Sequence, residues 1–177
     1  MLIISILAVH FRASSPRAAV ALPEIMITVL LIAAFFAGIF ELNAICLRYI
    51  EASKESVSAI QGVHDRIETL RSLAFTDLTS QSYMTTLLTS PADTSSFSPK
   101  ATEVVTLTDY SAGTPSVTYT RTPGASVTPT VAWTGGTSFP STTTIVKANV
   151  KFSWNMTFGG RPRVEQTETM ISDGVKK

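Results

Sequence analysis

Glu24 is the residue most at odds with its neighbours. It is a carboxylate inside the run Ala19-Val20-Ala21-Leu22-Pro23-Glu24-Ile25-Met26-Ile27-Thr28-Val29-Leu30, which stays apolar to Phe40. On insertion scales a carboxylate at mid-membrane costs about 2.5 to 3.5 kcal/mol, and less at the edge, where Glu24 falls. The chemistry such a group offers is charge pairing, because a carboxylate beside hydrocarbon is tolerated when a cation meets it. Groups for bond-making chemistry are scarce. The two histidines are His10 and His64, the latter among Gly62, Asp65 and Arg66 on a polar helix face. No Cys/His cluster has zinc spacing and no glycine-rich phosphate loop is present. Asp93, Asp109 and Asp173 are dispersed, without the alternating oxygen ligands of a calcium loop. Without a constellation of acid, base and nucleophile, the chain reads as a non-enzyme with no cofactor.

The element that must carry Glu24 is a helix. Val20 to Phe40 spans about 31 Å at ~1.5 Å per residue, close to the ~30 Å hydrocarbon core of a bilayer. Arg12 and Arg17 precede it, which by the positive-inside tendency places that side in the cytoplasm and the rest of the chain across the membrane. An ordinary secretory signal would put its charges first and its small residues after the apolar core. Here the charges fall between two apolar stretches, Met1 to Val9 and the main run, and Ala18 and Ala19 lie before the main run.

Beyond Phe40, Ile50, Val57, Ile60, Val63, Ile67, Leu70 and Ala74 recur at helical spacing between Glu51, Lys54, Glu55, Asp65, Arg66, Glu68 and Arg71. No proline intervenes between Ile25 and Ser90, so one long helix is expected, its distal half amphipathic. From about Ser80 the composition turns to Ser, Thr, Pro and Gly, the signature of a linker.

Short β-branched runs follow at Glu103 to Tyr110, Ser116 to Thr120 and Thr130 to Thr134. The clearest strand alternates Val146, Ala148, Val150, Phe152, Trp154, Met156 and Phe158 with polar residues, so one face is buried. Gly159-Gly160 supplies a turn, and Arg163 to Ile171 returns as a partner, with Pro162 suiting an edge strand. Trp133, Trp154 and Tyr119 fall in these strands and read as core. Asn155-Met156-Thr157 matches a glycosylation sequon by coincidence with the strand. The expected fold class is α+β, a long N-terminal helix packed on a small C-terminal antiparallel sheet.

The 177 residues and net charge of +1 fit one membrane-anchored domain and give no bulk electrostatic support for nucleic-acid binding. Cys46, the single cysteine, excludes an intrachain disulfide and reads as a small apolar helix residue.

Taken together, Arg12, Arg17, Ala19, Val20 and Glu24, with Arg66-Ile67-Glu68-Thr69-Leu70-Arg71-Ser72-Leu73-Ala74-Phe75-Thr76-Asp77-Leu78 further on, resemble the type IV pilin and type II secretion pseudopilin superfamily. The resemblance covers roughly Arg12 to Leu78 by motif, and the later region in style. It implies a leader over 1–19, a transmembrane half-helix over 20–40, an amphipathic half over 41–78, a linker over 79–100 and a sheet region over 101–177. It also implies cleavage between Ala19 and Val20 by a prepilin peptidase and N-methylation of Val20. Glu24 would then meet the new amine of a neighbouring subunit and set axial register in a pilus or pseudopilus. The partners implied are that peptidase, other pilin or pseudopilin subunits and the bacterial inner membrane, with the C-terminal domain in the periplasm or, after assembly, in an extracellular filament. Two positions depart from the pattern: alanine stands where glycine is usual before the bond, and Met1 to Val9 is apolar. A monomeric, single-pass membrane-anchored binding module with an external Thr-rich sheet is the alternative from another class.

Overall fold

The structure is a computed structural model that describes residues 18–92, 97, 100–123 and 128–174, with side chains described from Leu22 onward. Helix α1 runs from Ala18 to Ser72. The chain divides into two compact units between Leu47 and Arg48. In the first, every described side chain from Leu22 to Leu47 is exposed, including Leu30, Phe35 and Phe40. This segment gives α1 the length and apolarity to cross a membrane, and none of the qualifying stretch is buried.

The second unit is an α+β layer structure. Two short helices follow α1, α2 (Phe75–Thr79) and α3 (Gln81–Leu87), and then five strands: β1 (Thr102–Asp109), β2 (Ser116–Arg121), β3 (Thr130–Thr134), β4 (Ile145–Asn155) and β5 (Pro162–Ser172). The sheet is antiparallel with order β3-β2-β1-β4-β5, so β1 is central and β5 is an edge. The edge position of β5 accommodates Pro162, which has no ladder donor. Ala59, Val63, Ile67 and Leu70 of α1, with Leu78, Met84 and Leu88, share one core with Val105, Leu107, Val117, Tyr119, Val150 and Phe152. Tyr119 and Trp154 are buried, and Trp133 packs half-buried at the margin against Phe139.

Several expectations are corrected. The unbroken helix to Leu78 ends instead at Ser72, where Ser72 Oγ turns back to Thr69 O (2.7 Å) and Ala74 is extended at φ −66°, ψ 146°. Ser and Thr compete for backbone partners in this way, and Ser80 then caps α3 by accepting from Tyr83 N. The break lets Leu78, Met84 and Leu88 fold onto the core, so the expected linker over 79–100 contains a packed helix. Part of the expected apolar stripe on α1 is buried, at Val63, Ile67 and Leu70, and part is not. Ile50, Val57, Ile60 and Ala74 are exposed, while Ala59 and Gly62 are buried with Val63. Finally, β4 ends at Asn155 rather than continuing to Phe158: Met156 N bonds to Arg161 O (3.0 Å), and Gly159 and Gly160 turn the chain at φ 82° and 61°.

Candidate functional site

Two places concentrate charge in ways that demand an account. The first is the start of α1. Ala18, Ala19 and Val20 are helical, so the Ala19–Val20 bond lies within α1. Val20 and Glu24 are four residues apart, which puts them one above the other on a helix face. Glu24 is exposed, and its carboxylate has no hydrogen-bond or ionic partner among the described residues; its carbonyl accepts from Thr28 Oγ1 at 2.8 Å. Pro23 lies inside α1. Arg12 and Arg17 lie outside the described residues.

The second place is inside the other unit. Arg66 donates from Nε to Glu103 Oε1 (2.5 Å), and from Nη2 to Glu103 Oε2 (3.3 Å) and Ser90 O (2.7 Å). Arg121 reaches the same carboxylate, Nε to Oε2 at 3.1 Å. Arg66, Glu103 and Arg121 are 3%, 1% and 7% exposed, so this is a buried Arg-Glu-Arg cluster joining α1, β1 and β2. Desolvating three charges opposes their attraction, so burial of the cluster is not in itself a sign of large net stabilisation. The forked geometry, however, makes any single deletion costly.

Sequence reasoning placed Arg66 on the wet side of the rod and gave Glu103 no role. A signal was nonetheless present. Glu103 shares strand parity with Val105 and Leu107, and Arg121 shares it with Val117 and Tyr119, so all point to the core face. Arg66 likewise falls three residues from Val63 and four from Leu70.

Asp109 closes β1 with a smaller network. Its Oδ1 accepts from Ser111 N (2.9 Å) and Ser111 Oγ (2.6 Å), and its Oδ2 from Thr143 Oγ1. These bonds, Ser111 first and Thr143 next, hold its carboxyl below the usual carboxylate range. Burial pushes the Tyr119 phenol the other way, up to about 12. His64 is exposed, as is Cys46, and among the described residues no three His, Cys, Asp or Glu side chains converge for a metal. A shallow pocket of about 330 Å³ opens near the β4–β5 hairpin, with Lys100 and Arg163 in its wall and no acid. Trp154 also borders it, its buried Nε1 without an acceptor among the described residues.

Compared with family models, curated proteins and solved structures, the chain matches none.

Proposed function

We propose that this chain is a pilin-like structural subunit, processed between Ala19 and Val20, anchored by the apolar half of α1 and assembled through that helix into a pilus or secretion pseudopilus. The observation that carries the proposal is the single helix Ala18–Ser72. Its apolar part is exposed from Leu22 on and bears one carboxylate, Glu24, without a partner among the described residues, and its polar part supplies residues to the core beneath an antiparallel sheet. Apolar surface on that scale requires lipid or neighbouring helices, and a lone carboxylate within it requires a cation. A new amine on Val20 of an adjacent subunit is such a cation, and pairing it with Glu24 would fix the axial offset between subunits.

Mass spectrometry of the mature protein tests the processing step: the expected N-terminus is N-methylated Val20, and an intact leader or a cut beyond residue 40 overturns the proposal. Glu24→Ala is expected to leave membrane insertion intact and to abolish filament formation, seen by electron microscopy of sheared fractions.

One observation favours the second reading, a monomeric anchored binding module. The sheet face opposite the core carries Thr106, Thr108, Thr118 and Thr120 side by side on β1 and β2, with Thr106 and Thr118 hydroxyls 3.2 Å apart. In that case Glu24→Ala changes nothing.

A further inference from the structure

Pro23 stands four residues after Ala19, and both lie in α1. In an α-helix the carbonyl of residue i accepts from the N–H of residue i+4. The donor due to the Ala19 carbonyl is therefore the nitrogen of residue 23, and proline has no N–H to give. Its ring also crowds the carbonyl four residues back and pushes it off the helix axis. Flanking carbonyls are served normally, with Leu22 N due to Ala18 and Glu24 N due to Val20. The one carbonyl in this turn that proline strips of its helical partner belongs to the bond between residues 19 and 20.

We infer that Pro23 is a positioning residue for proteolysis, which frees the Ala19 carbonyl for attack while the surrounding chain stays helical. The inference rests on the processing proposed above. In the cleavage, water adds through oxygen to the Ala19 carbonyl carbon. The C–N bond to Val20 then breaks, Ala19 keeps the new carboxylate, and the displaced nitrogen leaves protonated as the Val20 amine. A helical carbonyl is poorly placed for this, because its lone pair is engaged by a donor and the backbone around it shields its carbon. Residue 19 does nothing to relieve this by itself, since alanine is the strongest helix former. Relief comes from Pro23, within reach of the same turn.

The position of Pro23 also limits its cost. Interior prolines destabilise a helix by about 3 kcal/mol, but here only the one turn before it is loosened, and α1 continues without interruption to Ser72.

The test uses the full chain in membranes with a prepilin peptidase, following the mature fraction over time by mass spectrometry. Pro23→Ala restores the donor and is expected to slow cleavage about tenfold, the effect of one hydrogen bond to be opened. Adding Ala19→Gly, which loosens the same turn from the other side, is expected to recover most of that rate. Carbonate extraction verifies that each variant is inserted. Cleavage of Pro23→Ala at the unaltered rate overturns the inference alone, as does a slowed Pro23→Ala that Ala19→Gly leaves unrescued. A wild-type chain not cut between residues 19 and 20 overturns both the inference and the processing on which it rests.

Discussion

Asp109 shows how much a single carboxylate can organise. β1 ends on it, the β1–β2 turn folds over it through Ser111, and the segment that carries the chain from β3 across to β4 is held to it through Thr143. The strand order departs from sequence order at that crossover, so one side chain pins both a local hairpin and the topology. Its proton affinity is lowered in the folded state, chiefly by Ser111 and then Thr143. A depressed carboxylate stabilises the fold fully above its unfolded value, near 3.8, and loses that contribution as pH falls through the lower folded value. Urea unfolding is therefore expected to give a stability that drops on acidification below about pH 4. Asp109→Asn should be less stable at neutral pH and show a shallower acid-side slope. An unchanged slope in the variant would remove Asp109 from the account. Alternation marked β1 clearly, but nothing in the local sequence pairs Asp109 with a threonine 34 positions on, since that contact exists only once the crossover is made.

The elements were legible in proportion to their periodicity. The alternation of β4 from Val146 to Trp154 is a local property that survives folding, and the observed strand keeps it throughout. Gly159-Gly160 announced its turn for a similar reason, because left-handed backbone is cheap only for glycine. The end of α1 was hidden, since no proline or glycine marks Ser72 and the break is set by what Leu78 and Met84 gain by packing. The buried face of α1 was legible at Val63, Ile67 and Leu70 and missed at Ala59 and Gly62, because hydrophobicity favours Val57 and Ile60 over such small residues. At the candidate site, Glu24 stands out at once against hydrocarbon, while Arg66 and Glu103 are 37 residues apart and read as ordinary surface charges. Their cluster predicts a large effect at this scale. Glu103→Ala leaves two guanidinium groups buried without their shared carboxylate, and is expected to lower stability by roughly 3 to 5 kcal/mol in denaturant titration. A loss below about 1 kcal/mol, typical of exposed ion pairs, would mean the cluster is solvated.

At the scale of the whole molecule, the two units make opposite demands on solvent. Leu30, Phe35 and Phe40 are 68%, 68% and 70% exposed in the first, whereas the second buries a continuous core of its own. Residues 48–177 alone are therefore expected to be soluble without detergent and to unfold cooperatively, with the full chain extracted only by detergent. Size-exclusion chromatography and thermal denaturation check this, and an aggregated fragment would show that its core depends on the first unit. The truncated chain keeps Arg48, whose guanidinium lies 4.1 Å from the Phe158 ring, and Glu55, whose carboxylate accepts from Thr157 N, so the β4–β5 hairpin retains its hold on the helix. The cluster of Arg66, Glu103 and Arg121 acquires a mechanical meaning in a chain whose helix belongs to both units. Were tension drawn along α1, the fork of Arg66 onto Glu103 would be one point, beside the shared core, at which it reaches the central strand. Because β1 is laddered on both sides, to β2 and to β4, a pull on Glu103 would be shared by two sets of backbone hydrogen bonds.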